Sequence, residues 1–479
     1  MRPANTLGAG PRPGQRPNIV FIMSDDHAAH AISAYGSAVT DTPQIDRIAA
    51  AGARMDSMFC ANALCAPSRA SILTGSHSHV NKVRTLGEHF DNTQDTFVRS
   101  LHNAGYATAL FGKWHLGEGP AHQPRDFDAW RVMPGQGEYL DPPMIDADGT
   151  RTRTGHMTDL ITRDSLDWLR SVPAGRPFCL LVHHKAPHRP WTPQPRFAEQ
   201  FADRDVPEPV TLRDDYSNRA SAAAQAHMRI SRDLKDSDLK QPVPDGLDAD
   251  AELQWKYQRY MQDYLACVAG VDESVGLILD HLDQAGLAED TIVIYTSDQG
   301  FFLGDHGWYD KRFMYEESLR MPFLVRYPRE IPIGFVTDML ASNVDIAQTL
   351  CDYAGVAPPI GCQGRSLRQV LAGSHPGGWR TAVYYRYWEH DDAFHHVQSH
   401  YGIRTDRYKL IYYYADGFGL PGTGDSRPEP EWELFDLARD PHELRNVYHD
   451  HGYASIRAVL RERLDREQRA AGDIPCHVA

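Results

Sequence analysis

Residues 18–26 have the sequence NIVFIMSDD, in which a nearly continuous apolar run is followed by two carboxylates. A run of this kind is typical of a central parallel strand that is buried on both faces. Similar runs occur at residues 107–111, 177–183, 291–296 and 322–327, each after or close to a predicted helix. Strands that alternate with helices predict an α/β fold with a mostly parallel central sheet flanked by helices.

The predicted helices lie between these strands and have recognisable ends. Thr42 is a candidate N-cap before Pro43, which favours a helix over residues 42–51. Amphipathic patterns predict further helices, of which the longest covers 252–285; the others are at 96–103, 158–169 and 344–353.

The pattern of the sequence changes after Gly378. Short aromatic-rich strands at 382–388, 401–405, 408–414 and 432–436 follow one another without helices between them, and a helix is predicted at about 453–471. This pattern predicts a smaller antiparallel α+β subdomain at 379–479 beside a larger α/β domain at 18–378. Residues 1–17 are predicted to be a disordered arm, and the charged, proline-containing residues 207–250 are predicted to be a weakly structured surface insertion.

Composition excludes several classes of protein. The 479 residues carry 49 Lys and Arg against 64 Asp and Glu, and a net charge of −15 argues against a nucleic-acid binder. No apolar run is long enough to span a membrane, and the first seventeen residues lack the apolar centre of a secretory signal. The seven dispersed cysteines are typical of reduced thiols. We therefore expect a cytoplasmic protein, with a secreted or periplasmic mature form as the alternative.

Oxygen-bearing side chains follow two of the predicted strands. Asp25 and Asp26 follow the first strand, and Asp298 and Gln299 follow the strand at 291–296. Since sites in open α/β sheets lie beyond the carboxyl ends of the strands, we expect these side chains to meet. Adjacent buried carboxylates repel each other unless a cation compensates them. Four oxygen donors favour a hard cation, Ca²⁺ or Mg²⁺.

A second candidate site lies at the start of a helix. Residues 65–75 have the sequence CAPSRASILTG, in which Pro67 lies in the predicted first helical turn and Gly75 ends the helix. A helix N-terminus with its free N–H groups favours an anion. Arg69, about one turn further on, is placed to reach the same anion.

These motifs, taken together, resemble those of the type I, formylglycine-dependent sulfatases of the alkaline phosphatase superfamily. The run CAPSRASILTG carries the resemblance, and further motifs occur in the family's order: Asp25-Asp26, Gly112-Lys113-Trp114-His115, Pro187-His188, Ser297-Asp298-Gln299-Gly300 and Lys311. The resemblance extends over about residues 17–449. It implies an alkaline phosphatase-like fold and a sulfuric ester hydrolase, with 18–378 as the catalytic domain.

The resemblance also implies cofactors and roles. Cys65 would be oxidised to formylglycine by a maturation enzyme, and one hydroxyl of its hydrate would attack sulfur. The ion, Ca²⁺ with Mg²⁺ as the alternative, would be held by Asp25, Asp26, Asp298, Gln299 and modified residue 65. Arg69 would orient the hydrate, Lys113 and Lys311 would neutralise sulfate oxygens, His115 would be a base, and His188 would bind sulfate or protonate the leaving oxygen. Gln299 departs from the pattern, because many members have Asn there.

The substrate class rests on shorter matches. Residues 135–137, 183–188 and 311–318 resemble bacterial N-acetylglucosamine-6-sulfatases and related glycosaminoglycan sulfatases. This implies a sulfated carbohydrate substrate, with Lys185, Arg312 and His400 as candidate contacts. His395 and His396 are also candidates for the pocket rim, and Trp308, Tyr309 and Trp388 for stacking on sugar or for core packing.

Two other functions remain open from the sequence. One is a phosphodiester or phosphonate monoester hydrolase of the same superfamily, against which the Asp25-Asp26 pair argues. The other is a binding protein that keeps the fold and the anion pocket without turnover. The complete set of candidate nucleophile, metal ligands and cations argues against this second alternative.

Overall fold

The computed structural model describes residues 16–476 and contains two principal sheets. The strands are β1 Asn18–Ser24, β2 Ala53–Met55, β3 Met58–Phe59, β4 Ala107–Lys113, β5 Ala129–Met133, β6 Pro143–Asp146, β7 Gly149–Thr152, β8 Phe178–His183, β9 Thr291–Ser297, β10 Phe302–Leu303, β11 Tyr309–Asp310, β12 Phe323–Arg326, β13 Phe335–Thr337, β14 Ala341–Ser342, β15 Ala382–Tyr387, β16 His400–Thr405, β17 Tyr408–Tyr413 and β18 Glu431–Asp436.

The helices are α1 Pro43–Ala50, α2 Cys65–Thr74, α3 Ser78–Asn81, α4 Phe97–Asn103, α5 Met157–Ser171, α6 Pro195–Phe201, α7 Ser221–Gln225, α8 Ile230–Asp233, α9 Asp236–Leu239, α10 Ala249–Gln284, α11 Glu316–Leu319, α12 Asp345–Ala354, α13 Arg368–Leu371 and α14 Ala454–Ala470. Each helix predicted from periodicity is present, with ends shifted by a few residues. Thr96 caps α4 as expected by accepting a hydrogen bond from the N–H of Arg99. The hydroxyl of Thr42 instead bonds Ser33 and Asp46, and so does not cap α1.

The large sheet has the strand order β13-β2-β12-β9-β1-β8-β4-β5-β6-β7. Its centre, β9-β1-β8-β4-β5, is parallel. Strand β1 pairs with β9 along its whole length, from Asn18 opposite Thr291 to Ser24 opposite Ser297. Every residue of β1, β4, β8 and β9 is buried, because helices cover both faces. The predicted α/β fold with a mostly parallel sheet is therefore confirmed.

The margins of this sheet differ from its centre. β12 pairs with β9 in the antiparallel direction, and β6 and β7 extend the other edge as antiparallel strands. The sequence interpretation did not predict β5, β6 and β7, whose residues are mostly half-buried or exposed. Edge strands of this kind lack the continuous apolar run that identifies a central strand.

The second sheet consists of β15-β16-β17-β18, all antiparallel, and α14 packs against it. This is the small antiparallel unit that the aromatic strands predicted. The two parts of the chain are tied together by buried charges. Nζ of Lys409 on β17 lies 3.0 Å from Glu316 and 2.6 Å from Glu443.

Residues 207–250 combine short helices with irregular, mostly exposed chain. They contain α7, α8 and α9, and Leu212, Ile230 and Leu239 are buried in a core shared with α10 and the sheet. Scattered apolar residues thus anchor a largely exposed segment, and its role as a surface insertion stays a prediction. The predicted disordered arm lies outside the described residues, apart from Arg16 and Pro17. Among residues 16–476, no helix combines the length and apolar character needed to cross a membrane.

Candidate active site

Four neighbouring parallel strands, β9, β1, β8 and β4, end at the same edge of the sheet. Asp25 and Asp26 follow β1, Asp298 and Gln299 follow β9, and Lys113 ends β4. His188 lies in the loop after β8. Because the strands are adjacent and parallel, residues far apart in the sequence meet at this edge, as the strand-end argument predicted.

Three carboxylates form the centre of the site. Asp25, Asp26 and Asp298 are each at most 1% exposed, and each offers an oxygen within 4.8 Å of the others. The backbone at Asp26 has a φ of +67°, a conformation that is rare for a residue with a side chain. Its carbonyl accepts a hydrogen bond of 2.8 Å from Tyr264, which holds this turn against α10.

Three cations surround the carboxylates. Nζ of Lys113 bonds Asp25, and Nζ of Lys311 lies 2.6 and 2.8 Å from the two oxygens of Asp26. Nε of Arg69 donates to Asp298 at 3.0 Å. Since all six side chains are buried, the pairs offset much of the cost of removing each charge from water.

The carboxylates differ in how readily they ionise. Burial favours the neutral form of Asp25, but Lys113, His188 and Arg69 outweigh it and hold its pKa well below the usual value. Burial, together with the neighbouring carboxylates Asp25 and Asp298, raises the pKa of Asp26 to about 7 against the opposing effect of Lys311. Burial and the charge of Asp25 raise the pKa of Asp298 to about 6.

This donor set fits a divalent cation. Within the described residues, Oδ1 of Asp25 and Oε1 of Gln299 are buried and have no hydrogen-bond partner. A buried polar atom without a partner is costly, and a cation bound between these oxygens would remove that cost. Nε2 of Gln299 donates to Oδ1 of Asp26 at 2.5 Å, so the amide already lies in the acidic cluster. Oxygen donors of this kind suit a hard ion.

Cys65 lies at the first position of α2, which is buried along its whole length and ends at Gly75 with φ +68°. Its sulfur, an oxygen of Asp25 and a nitrogen of His188 lie within 4.8 Å of one another. Burial and the nearby Asp25 raise the pKa of the Cys65 thiol far above its usual value. The unmodified thiol is therefore a poor source of thiolate.

Two histidines lie close enough to this region for its charges to act on them. Nδ1 of His188 lies 2.7 Å from the carbonyl oxygen of Arg189 and must donate a hydrogen bond to it. The other ring nitrogen, Nε2, lies 3.7 Å from a carboxylate oxygen of Asp26. His115 has a φ of +56° and a buried Nδ1 for which the described residues provide no partner. Burial and the charge of Lys113 lower the pKa of both rings well below the usual value.

A cleft of about 720 Å³ opens from this centre and is lined by Cys65, His188, Lys185, Lys311 and Arg312. Nζ of Lys185 donates to the carbonyl of Gln136 at 3.0 Å. Burial, and then the charge of Lys113, lower the pKa of Lys185 to about 7. The structure thus brings two of the three candidate substrate contacts, Lys185 and Arg312, to the cleft.

The third candidate, His400, is not brought to the cleft. It is fully buried on β16 among the rings of Phe313, Tyr385 and Tyr413, and its Nε2 accepts a hydrogen bond from the N–H of Met314. The sequence interpretation misplaced it because the strand begins at His400 itself, so its side chain enters the core. His395, five residues earlier in the loop, lines the cleft instead.

Three acidic residues of the cleft, Asp310, Glu389 and Asp392, were not identified from the sequence. Nη1 of Arg312 lies 3.2 Å from Glu389, and His395 bridges Asp310 and Asp392 at 3.4 and 2.9 Å. Only the closeness of Asp310 to Lys311 in the sequence, and the acidic run from 389 to 392, gave any signal. These residues form a hydrogen-bonded wall of the cleft.

Comparisons with known proteins agree with this geometry. The sulfatase family profile matches residues 17–356, and the profile described as N-sulphoglucosamine sulphohydrolase, C-terminal, matches residues 304–470. The N-acetylglucosamine-6-O-sulfatase of Bacteroides thetaiotaomicron is 40% identical over 96% of this chain and 87% of its own length. The arylsulfatase of Clostridium perfringens is 27% identical over 94% of each chain.

Among solved structures, that of BT4656 in complex with its substrate D-glucosamine-2-N,6-O-disulfate has a TM-score of 0.90 and 40% identity. The match covers 95% of this chain and 98% of that one. The family profile covers well over half of the sequence, and the 40% identical relative covers almost all of it. The chain therefore belongs to the sulfatase family of sulfuric ester hydrolases.

Proposed function

We propose that this sulfatase removes the 6-O-sulfate from a glucosamine-type sugar, as found in glycosaminoglycans. The observation that carries the proposal is the position of Cys65, at a helix N-terminus within 4.8 Å of Asp25 and His188, in the lining of a cleft of about 720 Å³. The relative named N-acetylglucosamine-6-O-sulfatase and the structure that holds a glucosamine disulfate support the choice of sugar.

We propose Ca²⁺ as the ion, held by Asp25, Asp26, Asp298 and Gln299. Bound there, it would supply positive charge beside the reacting oxygens. We also propose that a maturation enzyme oxidises Cys65 to formylglycine, whose hydrate supplies a hydroxyl nucleophile. The raised pKa of the Cys65 thiol supports this proposal, because a thiolate is disfavoured beside Asp25.

The side chains of this chain then bind and orient the sulfate. Lys311 lines the cleft and Lys113 bonds Asp25 beside it, and both provide charge to the sulfate oxygens. Arg69 is fixed by its bonds to Asp298 and to the carbonyl of Lys113 at 2.9 Å, so it holds the carboxylate cluster in place. The buried positions of these cations exclude water from the sulfate.

His188 and His115 are the proton-transfer groups in this proposal. The Nδ1–H of His188 is committed to the carbonyl of Arg189, so only Nε2 can give a proton to the leaving oxygen. Burial and Lys113 lower the pKa of His188 in the empty site, and an anionic substrate offsets the charge of Lys113. His115, with a free Nδ1 among the described residues, is the candidate base.

The test is sulfate release from N-acetylglucosamine-6-sulfate, with aryl sulfate and aryl phosphonate measured in parallel. The tryptic peptide Met55–Arg69 should show, by mass spectrometry, loss of one sulfur and two hydrogens and gain of one oxygen. Cys65→Ala should abolish sulfate release and leave the melting temperature unchanged. Full activity with an unmodified thiol, or a phosphonate kcat/KM above the sulfate value, would contradict the proposal.

A further inference from the structure

The cleft has a buried floor and an exposed rim. The floor includes Cys65, Lys185 and Lys311, which are buried. The rim includes Lys235 from the 207–250 segment and Phe394 from the loop between β15 and β16, both exposed. Two separate parts of the chain therefore meet at the cleft mouth.

Phe394 is 69% exposed although it is an aromatic residue that lines a cleft. Its position is fixed from below, because the N–H of Phe394 and the side chain of His395 both bond Asp392. The backbone carbonyl of His395 also accepts a hydrogen bond of 2.7 Å from the N–H of His227. The ring is thus an apolar surface on an anchored loop, as in sites that bind ligands with apolar faces.

Lys235 adds a positive charge to the same place. Its Nζ lies 5.0 Å from the centroid of the Phe394 ring. It lies at the start of α9, which is held down by the buried Asp238, an ion-pair partner of Arg189. A mobile surface lysine would not mark a site, but this one is placed beside an exposed ring at the mouth of the cleft.

The cleft is also larger than one sugar requires. Taking the volume that liquid water gives each non-hydrogen atom, an N-acetylhexosamine monosulfate of about 19 such atoms needs at most about 570 Å³. The open cleft has a volume of about 720 Å³. With the sulfate at Cys65, space remains between the first sugar and the rim.

We propose that Phe394 and Lys235 form an outer subsite that binds the sugar linked to the sulfated hexosamine. Phe394 stacks on a face of that second sugar, and Lys235 pairs with an anionic group that the sugar carries, such as the carboxylate of a uronic acid. This inference rests on the proposed function and adds to it which residues bind the neighbouring sugar. Trp308 and Tyr309, which the sequence marked as candidates for stacking on sugar, are buried and lie in the core.

The test measures binding to the Cys65→Ala protein by calorimetry, so that no turnover interferes. The ligands are N-acetylglucosamine-6-sulfate and its disaccharides with glucose or with glucuronic acid, joined at either O1 or O4. This glucose and glucuronic acid pair differs only in the carboxylate. In the Cys65→Ala protein, the further change Phe394→Ala should weaken binding of the disaccharides about fivefold, measured for whichever linkage, O1 or O4, binds more tightly. Adding Lys235→Gln should weaken only the glucuronic acid disaccharide, by about threefold.

Neither change should alter the dissociation constant of the monosaccharide. Phe418→Ala is the matched control, since Phe418 is 49% exposed but does not line the cleft. Disaccharides that bind no more tightly than the monosaccharide would overturn the inference. So would a Phe394→Ala change that weakens binding of the monosaccharide and of the disaccharides equally. Failure of the formylglycine-containing enzyme to release sulfate from the monosaccharide would contradict the proposed function alone, because disaccharide binding still decides the subsite.

Discussion

Binding of Ca²⁺ to the metal-free protein should release protons, and the number should depend on pH. The reason is the acidic cluster, in which burial raises the pKa of Asp26 to about 7 and that of Asp298 to about 6. Asp25 contributes no proton to this release, because the neighbouring cations hold its pKa well below the usual value. Below these raised pKa values the two carboxyls are protonated, and a cation that needs their oxygens must displace the protons.

The size of the effect follows from the two pKa values. Asp26 and Asp298 together hold about one proton at pH 6.5 and about 0.1 proton at pH 8. Both must be ionised in the complex, so the apparent affinity for Ca²⁺ should rise about fivefold over this interval. The sign is fixed, because raised carboxyl pKa values weaken cation binding as the pH falls.

The assay is calorimetric titration of chelator-treated protein with CaCl₂ in two buffers that differ in ionisation enthalpy. The difference in heat between the buffers gives the number of protons released. Asp26→Asn is the control, since it should reduce the release at pH 6.5 to about 0.2 proton. Absence of proton release at pH 6.5, or equal release at pH 6.5 and pH 8, would refute the assignment of these carboxyls as the metal site.

Three further outcomes are expected. Gly112→Ala should destabilise the protein by about 3 kcal/mol or more in denaturant unfolding, because Gly112 has φ +114° and an added Cβ would lie 1.9 Å from the carbonyl oxygen of His183. An unchanged unfolding midpoint would show that β4 and β8 can separate to make room for the methyl group. Inhibition by inorganic sulfate should weaken as pH rises through 7, where Lys185 loses its charge, and Lys185→Met should weaken it about fivefold at pH 6 and leave it unchanged at pH 9. Leu464→Ala, in α14, should destabilise the small sheet's core by about 2–5 kcal/mol without altering Ca²⁺ affinity, as a melting curve and a titration would show.

The centre of the fold and of the site could be predicted for one shared reason. Central parallel strands are recognisable as apolar runs, and their carboxyl ends meet at one edge, so Asp25 and Asp298 had to be neighbours. The start of α2 at Cys65 followed similarly from Pro67 and Gly75. At these positions the local sequence pattern and the topology of the sheet predict the same structure.

The outer wall of the cleft could not be predicted in the same way. Asp310 ends the two-residue strand β11, and Glu389 and Asp392 lie in the loop between β15 and β16. Their approach depends on how the small sheet packs on the large one. His395 and His400 illustrate the difficulty, because a loop ends and a strand begins between them. One therefore lines the cleft and the other lies in the core, and a histidine-rich stretch carries no periodicity that separates the two.

Charge balance at the site explains why a cation and a sulfate ester suit it together. Asp25, Asp26 and Asp298 bring three negative charges when ionised, and the three cations beside them, Arg69, Lys113 and Lys311, bring three positive ones. A divalent ion bound there would leave the buried cluster with an excess of two positive charges. A sulfate monoester carries one negative charge, so one positive charge remains to favour the negative charge that develops on the leaving oxygen. Neutralising either lysine would remove that surplus, and its loss should appear in kcat more than in KM.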